Sequence, residues 1–255
     1  MRVIHAHDLV AVATKVLLAA GATRAGAEVV AAAMVESDLV GQEEYGVRRL
    51  VPYLEKVRTG EIDPKAVPRL GGVRAAAAVV DGLGGFGELA GRAAVEHVRR
   101  LARQYGVASA TVGNCGDVGR LGGYVRALAV EGAVGVAMRP GRPLAWAAPR
   151  AAGRSPLVAD VDPAASLALM IQVMALTSGY EESGGMVVVA IDVAAFRPVE
   201  EFREHAERLC ALLAAAAVPG EAEAATRAAR LRDGVPVDGG LWSELAALPG
   251  GPARL

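Results

Sequence analysis

The apolar residues in the first part of the chain recur with the spacing of an α-helix. Between residues 8 and 38 this pattern is interrupted only around Gly21–Thr23, which predicts a helix, a capped turn and a second helix. A third helix is predicted over residues 50–60, where Gly60 ends it. The prolines in the next ten residues favour an extended connector.

The middle of the chain alternates short β-prone runs with helical segments. Strands are predicted at 75–81, 107–112, 133–138 and 186–192, and helices at 88–105, 124–131 and 164–177. Short apolar runs occupy residues 144–148 and 156–160. Two glycine-rich stretches, 82–87 and 113–123, are predicted to be turns. Such alternation predicts a mixed α/β fold with a buried sheet.

Helical spacing returns near the C-terminus, over residues 200–217 and 221–232, followed by an extended segment at 234–237 and a last turn around Trp242. We therefore expect two domains. The first is a helical domain formed by residues 1–70 and 197–255, and the second is an α/β domain formed by residues 71–196.

Composition limits the class of function. The chain has 255 residues, 53% of them hydrophobic, and a net charge of −1, so it is long enough to bury a full core. It has no excess of basic residues to neutralise phosphates and only 4% aromatic residues to stack on bases, which argues against nucleic-acid binding. No apolar run approaches the roughly 20 residues of a membrane span, and the N-terminus lacks the build of a signal peptide. We expect a cytoplasmic protein that binds neither nucleic acid nor membrane.

The cysteines and histidines predict no metal site. Cys115 and Cys210 lack the spacing of a zinc site and are too few for a disulfide framework. The four histidines form no pair with metal-ligand spacing.

Several motifs, in order along the chain, resemble one enzyme family. They are Met34–Leu50 (similar to a Ser-His-Gly-Val-x-Arg signature), Val80–Gly87 (VDGxxGxG), Asn114–Tyr124 (N-S-x-H-[FY]-G-x-x-G-Y), Pro156–Asp160, Val189–Asp192 and Pro219–Glu221. They are typical of the type-2 malate/L-lactate dehydrogenases, a family that also includes ureidoglycolate and sulfolactate dehydrogenases and cyclic-imine reductases. The resemblance implies a non-Rossmann fold, with the helical N- and C-terminal parts packed together, and a homodimer. It also implies reduction or oxidation of 2-hydroxy acids, 2-oxo acids or cyclic imines with a nicotinamide.

The sequence departs from the family pattern in two ways. Tyr45 and Asp117 stand where the pattern has histidines, that at Tyr45 being catalytic. The chain is also shorter than the pattern, between Met138 and Gly141 and again after Asp160. The resemblance places much of the nicotinamide and phosphate contact in those segments, so we expect a reduced cofactor domain and no cofactor, with NADH or NADPH as the alternative.

The candidate catalytic residues are Tyr45 and Asp117. A tyrosine can donate the proton that a reduced carbonyl needs, if a cation such as Arg48 or Arg49 assists it, but it can equally fill the space left by the histidine. Asp117 could act as a base facing Tyr45, or could simply stabilise a glycine-rich turn.

The candidate substrate-binding residues are Arg49, Arg48 and Tyr124. Arg49 stands where the family pattern has an arginine for the substrate carboxylate, which a guanidinium grips through two hydrogen bonds. The other interpretation is a surface ion pair with Glu43 or Glu44. Cys115 has no matched histidine to activate it. The glycines at 82–87 lack the lysine of a phosphate loop and are interpreted as a tight strand-to-helix turn.

These residues lead to three functional hypotheses. The first is a nicotinamide-independent lyase, isomerase or cyclase that acts on a small carboxylate-bearing molecule. The second is an NAD(P)H-dependent reductase of a 2-oxo acid or cyclic imine, with Tyr45 as proton donor. The third is a non-catalytic relative of the family.

Overall fold

The computed structural model describes residues 1–139, 144–161, 185–212 and 218–252, and these form a mixed α/β structure. The helices are α1 (Ala6–Ala19), α2 (Arg24–Leu39), α3 (Leu50–Thr59), α4 (Gly87–Tyr105), α5 (Leu121–Val130), α6 (Val199–Leu212), α7 (Glu221–Asp233) and α8 (Gly239–Ala247). The strands are β1 (Arg2–Ile4), β2 (Arg69–Arg74), β3 (Ala77–Gly85), β4 (Val107–Cys115), β5 (Ala133–Met138), β6 (Leu144–Ala148), β7 (Leu157–Val161), β8 (Met186–Asp192) and β9 (Val235–Val237).

Seven strands form one sheet in the order β2-β3-β4-β8-β5-β6-β7. The β3 and β4 strands are parallel, and every other neighbouring pair is antiparallel. Helices α4 and α5 pack on this sheet, and alanine and valine side chains fill the space between them. Small side chains allow close approach of helix and sheet, so the alanine-rich composition is compatible with a dense core.

A second apolar core joins the two ends of the chain. Strand β1 pairs with β9, with Arg2 opposite Val237, and the cluster contains side chains of α1, α2, α3 and α8. Leu9, Leu17 and Leu245 are almost fully buried in it. This confirms the predicted fold class, with helical N- and C-terminal parts packed together. The division into two domains at the boundaries given above stays a prediction.

Most predicted elements are present, but the glycine-rich stretches differ from the prediction. Strand β3 continues to Gly85, β4 continues to Cys115, and α5 begins at Leu121, so regular structure extends into both predicted turns. The edge strand β2 is missing from the prediction because all its residues are exposed and it lacks apolar alternation. The helix predicted at 164–177 and the last part of the helix predicted at 200–217 lie outside the described residues. Within the described ranges, no helix combines the length and apolar character needed to cross a membrane.

The start of α4 packs tightly against the loop that carries Asp117. A Cβ atom on Gly87 would overlap the backbone carbonyl oxygens of Gly116 and Asp117. We expect Gly87→Ala to lower the free energy of unfolding by about 1–3 kcal/mol, as overpacked sites do, and to displace Asp117. Urea unfolding measures this, with Gly123→Ala as the control because a Cβ there meets no atom within 4 Å. Equal stability of the two variants would contradict the packing.

Candidate active site

A cavity of about 670 Å³ opens where four parts of the chain meet. Tyr45 and Arg49 come from two 3₁₀ turns, Glu43–Tyr45 and Val47–Arg49, that connect α2 to α3. The other contributors are the loop after β4, the residue after β5, and the start of α8. The lining residues are Glu44, Tyr45, Arg48, Arg49, Val51, Pro52, Asp117, Arg139, Asp238, Gly240, Leu241 and Glu244.

The two 3₁₀ turns are held by a buried carboxylate at the end of α2. Asp38 is 4% exposed, and its Oδ2 accepts a hydrogen bond of 2.9 Å from the backbone N–H of Val47. Gly46 lies directly on this carboxylate, where any Cβ would overlap it. Burial raises the pKa of Asp38 to about 7, against the hydrogen bond from Val47. The glycine of the motif is therefore required by packing, and the turn that carries Tyr45 and Arg49 is fixed in place.

Asp117 connects two arginines at the floor of the cavity. Its carboxylate accepts hydrogen bonds from Arg49 at 2.8 Å, from Arg139 at 2.7 Å and from the backbone N–H of Gly119 at 2.8 Å. Burial opposes its ionisation, but the charges of Arg139 and Arg49 outweigh that effect and hold the pKa of Asp117 below its usual range. An ionised carboxylate held by two guanidinium groups is a weak base at neutral pH. Its position is instead suited to holding the side chains of Arg49 and Arg139 in a fixed orientation.

Tyr45 lies against the same arginines. The guanidinium carbons of Arg49 and Arg139 are 5.6 Å and 6.0 Å from the centroid of its ring, within the range of a cation–π contact. The ring is half-buried and lines the cavity. The cations that a tyrosine proton donor requires are therefore adjacent to it, and one of them is Arg49, as predicted.

A buried tyrosine–carboxyl pair lies beneath Arg49. The hydroxyl of Tyr53 donates to Glu88 Oε1 at 2.6 Å and lies 3.2 Å from the backbone oxygen of Asp117. Burial raises the pKa of Glu88 to about 7, while the hydrogen bond from Tyr53 opposes that rise. Arg49 covers the Tyr53 ring at 5.4 Å, so the pair supports the arginine from below.

The structure brings together four of the five predicted site residues, namely Tyr45, Arg48, Arg49 and Asp117. Arg49 pairs with Asp117, whereas Glu43, its predicted surface partner, pairs with Arg230 at 2.7 Å. Tyr124 lies outside this cavity. Its hydroxyl donates to the backbone oxygen of Val118 at 2.5 Å, so the substrate contact predicted for it has no support in this arrangement.

The two weaker candidates have structural explanations. Burial raises the pKa of Cys115 to about 12, which leaves a thiol without nucleophilic character. The backbone of residues 116–117 lies against Gly87, the first residue of α4, so the start of α4 is not an open phosphate cradle.

The sequence interpretation missed Arg139, Tyr53 and Glu88. Arg139 ends an apolar strand with a charge, and that was the available signal. Tyr53 had the spacing of a core residue of α3, and Glu88 that of an ordinary first-turn glutamate, so neither pattern predicted a buried pair.

The site is an arginine-rich pocket with an aromatic hydroxyl, on a mixed sheet with one parallel pair of strands, β3 and β4. The run Gly82–Gly87 has the spacing G-x-G-x-x-G between β3 and α4, but the backbone of residues 116–117 lies against Gly87 at the start of the helix. Residues 4–159 match the sequence model of the malate/L-lactate dehydrogenases. The chain belongs to this family.

Individual relatives agree with this assignment. The chain is 31% identical over 147 residues to Delta(1)-pyrroline-2-carboxylate reductase 1 of Burkholderia ambifaria, covering 58% of this chain and 42% of that protein. It is 32% identical over 178 residues to the (2R)-3-sulfolactate dehydrogenase (NADP(+)) of Chromohalobacter salexigens, covering 63% of this chain and 52% of that protein. Thus the chain matches about half of the length of these relatives.

A solved structure shows the same fold. Malate dehydrogenase from Pyrococcus horikoshii superposes with a TM-score of 0.87 at 21% identity, covering 96% of this chain and 93% of that one.

Two expectations from the sequence are wrong. The relatives are reductases and dehydrogenases, one of them named for NADP(+), which contradicts both a nicotinamide-independent lyase, isomerase or cyclase and the expected absence of a cofactor. The two shortenings, between Met138 and Gly141 and after Asp160, fall largely outside the described residues and stay predictions. The two missing histidines affect proton transfer, whereas cofactor binding uses other groups. The absence of the histidines therefore does not imply that cofactor binding is lost.

The described residues fit an anionic nucleotide. The cavity has a volume in the range of cofactor sites, about 300–1,000 Å³, and Arg48 is exposed at its edge. Arg139 is buried, and its Nε has no hydrogen-bond partner among the described residues. Guanidinium groups suit phosphate oxygens, so Arg139 is the residue that would hold a phosphate of the cofactor.

Proposed function

We propose that this protein is an NAD(P)H-dependent reductase of a small carboxylate-bearing 2-oxo acid or cyclic imine. The observation that carries the proposal is the position of Arg49, which lies in a cavity beside Tyr45 and is held by Asp117 at 2.8 Å. The family relationship and the activities named for the relatives support it.

Each site residue has a role in this proposal. Arg49, assisted by Arg48, binds the substrate carboxylate, and Asp117 holds Arg49 in the orientation for that contact. The cofactor, when bound, supplies the hydride to the C=O or C=N carbon. Tyr45 gives its hydroxyl proton to the oxygen or nitrogen of that bond and regains one from solvent, with the positive charge of Arg49 stabilising the phenolate between the two steps.

The charge distribution in the cavity favours the cyclic imine among the two substrate classes. The arginines lie with Asp117, whereas Glu44, Asp238 and Glu244 line the same cavity. A cyclic imine carboxylate becomes an amino acid, with a carboxylate for the arginines and a cationic nitrogen for the acidic side chains. A 2-oxo acid has no cationic group that could pair with the acidic side chains. A homodimer, on the family resemblance, and a cytoplasmic location, on the composition, are part of the same proposal.

The proposal is tested by cofactor binding and turnover. Fluorescence titration with NADPH and NADH should show saturable binding, and NAD(P)H oxidation should depend on Δ1-pyrroline-2-carboxylate or Δ1-piperideine-2-carboxylate. Pyruvate and oxaloacetate serve as 2-oxo acid comparisons. Cofactor binding without turnover of any of the four compounds would contradict the substrate assignment, and no cofactor binding would contradict the reductase and favour the non-catalytic hypothesis.

Tyr45→Phe separates a proton donor from a space-filling ring, because it removes only the hydroxyl. We expect kcat to fall about 10²-fold or more with little change in KM, in the range typical of a lost general acid. Steady-state kinetics measures this, and Tyr105→Phe, in an exposed tyrosine at the end of α4, is the control. Full activity of Tyr45→Phe would show that the ring only fills space.

A further inference from the structure

Glu88 combines complete burial with an incomplete set of partners. The side chain is 4% exposed, Oε1 accepts the hydrogen bond of Tyr53, and Oε2 has no partner among the described residues. An ionised carboxylate with one unpaired, buried oxygen is costly, and protonation of the carboxyl group removes the charge. The geometry itself thus favours a neutral carboxyl group that can titrate.

The Tyr53 hydroxyl has two acceptors, and it has one proton. It can donate to Glu88 at 2.6 Å or to the backbone oxygen of Asp117 at 3.2 Å. When Glu88 is ionised, the Tyr53 hydroxyl donates its hydrogen bond to the carboxylate. When Glu88 is protonated, the carboxyl can donate to Tyr53, which is then free to donate to Asp117. The protonation state of Glu88 is therefore transmitted to the loop that holds Arg49.

Charge acts in the same direction as the hydrogen bonds. The titratable and charged groups that act on the carboxyl of Glu88 come from five surrounding elements and are Tyr53, Arg49, Asp117, Cys115 and Tyr124. Arg49 is the cation among them, and it stabilises ionised Glu88. A ligand carboxylate on Arg49 would offset that stabilisation, so ligand binding should favour the protonated form of Glu88.

Solvent has a route to this group. A second cavity of about 350 Å³ lies between α2, α4 and α5, and Glu88 and Gly119 line it. Tyr45 lines both cavities. Protons can thus reach Glu88 through this second cavity.

We propose that Glu88 is a positioning residue which, through Tyr53 and Arg49, couples the binding of a substrate carboxylate to the uptake of one proton from solvent. This inference rests on the proposed function, because it takes Arg49 as the carboxylate-binding group. By the reciprocity of linked equilibria, a carboxylate binds more weakly when Glu88 is ionised.

The test is calorimetry of pyrrole-2-carboxylate binding, a planar carboxylate that is not reduced, between pH 6 and 8.5. We expect the affinity of the wild type to fall about fivefold or more over this range, the lower end of typical coupling between sites. Repeating the titration in two buffers of different ionisation enthalpy should show net proton uptake. Glu88→Gln should bind with constant affinity and no uptake.

Two further variants make the result specific. Tyr53→Phe removes a hydrogen bond that favours ionised Glu88, so proton uptake should move to higher pH, which a purely structural role would not produce. Asp160→Asn, which lies outside the active-site cavity, removes another carboxyl group whose pKa is raised by burial and should leave the uptake intact.

The outcomes distinguish this inference from the proposed function. Binding without proton uptake by the wild type, or equal uptake by wild type and Glu88→Gln, overturns the role of Glu88 and leaves the reductase in place. Absence of carboxylate binding overturns both. If Glu88→Gln does not fold, the wild-type uptake and its displacement in Tyr53→Phe decide the question.

Discussion

Arg49→Ala should lower kcat/KM for the carboxylate substrate by about 10²-fold or more, mostly through KM. Truncation of one member of a buried, hydrogen-bonded charge pair commonly costs about 2–5 kcal/mol. The variant loses the carboxylate contact and also leaves Asp117 with one arginine in place of two. Steady-state kinetics and binding of pyrrole-2-carboxylate measure the two effects separately.

Matched variants give this experiment its controls. Arg58→Ala removes an arginine of α3 that pairs with Glu55 in the solvent, and it should leave kinetics unchanged. Arg49→Lys keeps the positive charge but cannot form the bidentate hydrogen bonds of a guanidinium, so it should recover only part of the activity. An Arg49→Ala enzyme with wild-type KM would show that the substrate carboxylate binds elsewhere.

Between pH 5 and 8 the free energy of unfolding should fall as pH rises, because of two buried carboxyl groups. Burial raises the pKa values of Glu88 and Asp38 from 4.5 and 3.8 to about 7. The native state therefore holds protons that the unfolded chain has released, and the stability present below the unfolded pKa is lost as pH rises through 7. For Glu88 alone the loss is about 3 kcal/mol, since a tenfold change in proton affinity corresponds to about 1.4 kcal/mol.

Glu88→Gln should therefore be less sensitive to pH over this range and relatively more stable than the wild type at pH 8 than at pH 5. Urea unfolding at both pH values measures the difference. Glu55→Gln, at a fully exposed position, should follow the wild type. A wild type whose stability rises steadily from pH 5 to 8 would show that these groups are ionised throughout, and that their burial is less complete than in the structure.

The order of helices and strands was largely predictable, because each element has its own apolar period. The ends of β3 and β4 were not, since the glycines at 82–85 and 113–116 enter the sheet through pairing with a neighbour, as Gly85 does with Cys115. Strand β2 likewise depends on its pairing with β3 and not on any pattern of its own. Strand pairing is a tertiary property, and local spacing does not contain it.

The candidate site was predictable only as far as the motifs extended. Tyr45, Arg49 and Asp117 stand within recognisable signatures, and the structure brings them into one cavity. Arg139 and Glu88 required knowledge of which distant segments meet: Asp117 binds Arg139 across 22 residues, and Glu88 binds Tyr53 across 35. Tyr124 was chosen from a motif, yet its hydroxyl donates to the backbone oxygen of Val118, in the loop before α5.

The sequence by itself determined the mixed α/β fold, the family, and an arginine beside a tyrosine where the family pattern has a histidine. Only the tertiary structure decided the burial and the interaction partners of the site residues. It made Asp117 the partner of two arginines, enclosed Glu88 with Tyr53, and gave two carboxyl groups pKa values of about 7. The physical reason is that a side chain's type is local, whereas its burial and its neighbouring charges come from segments that are distant along the chain.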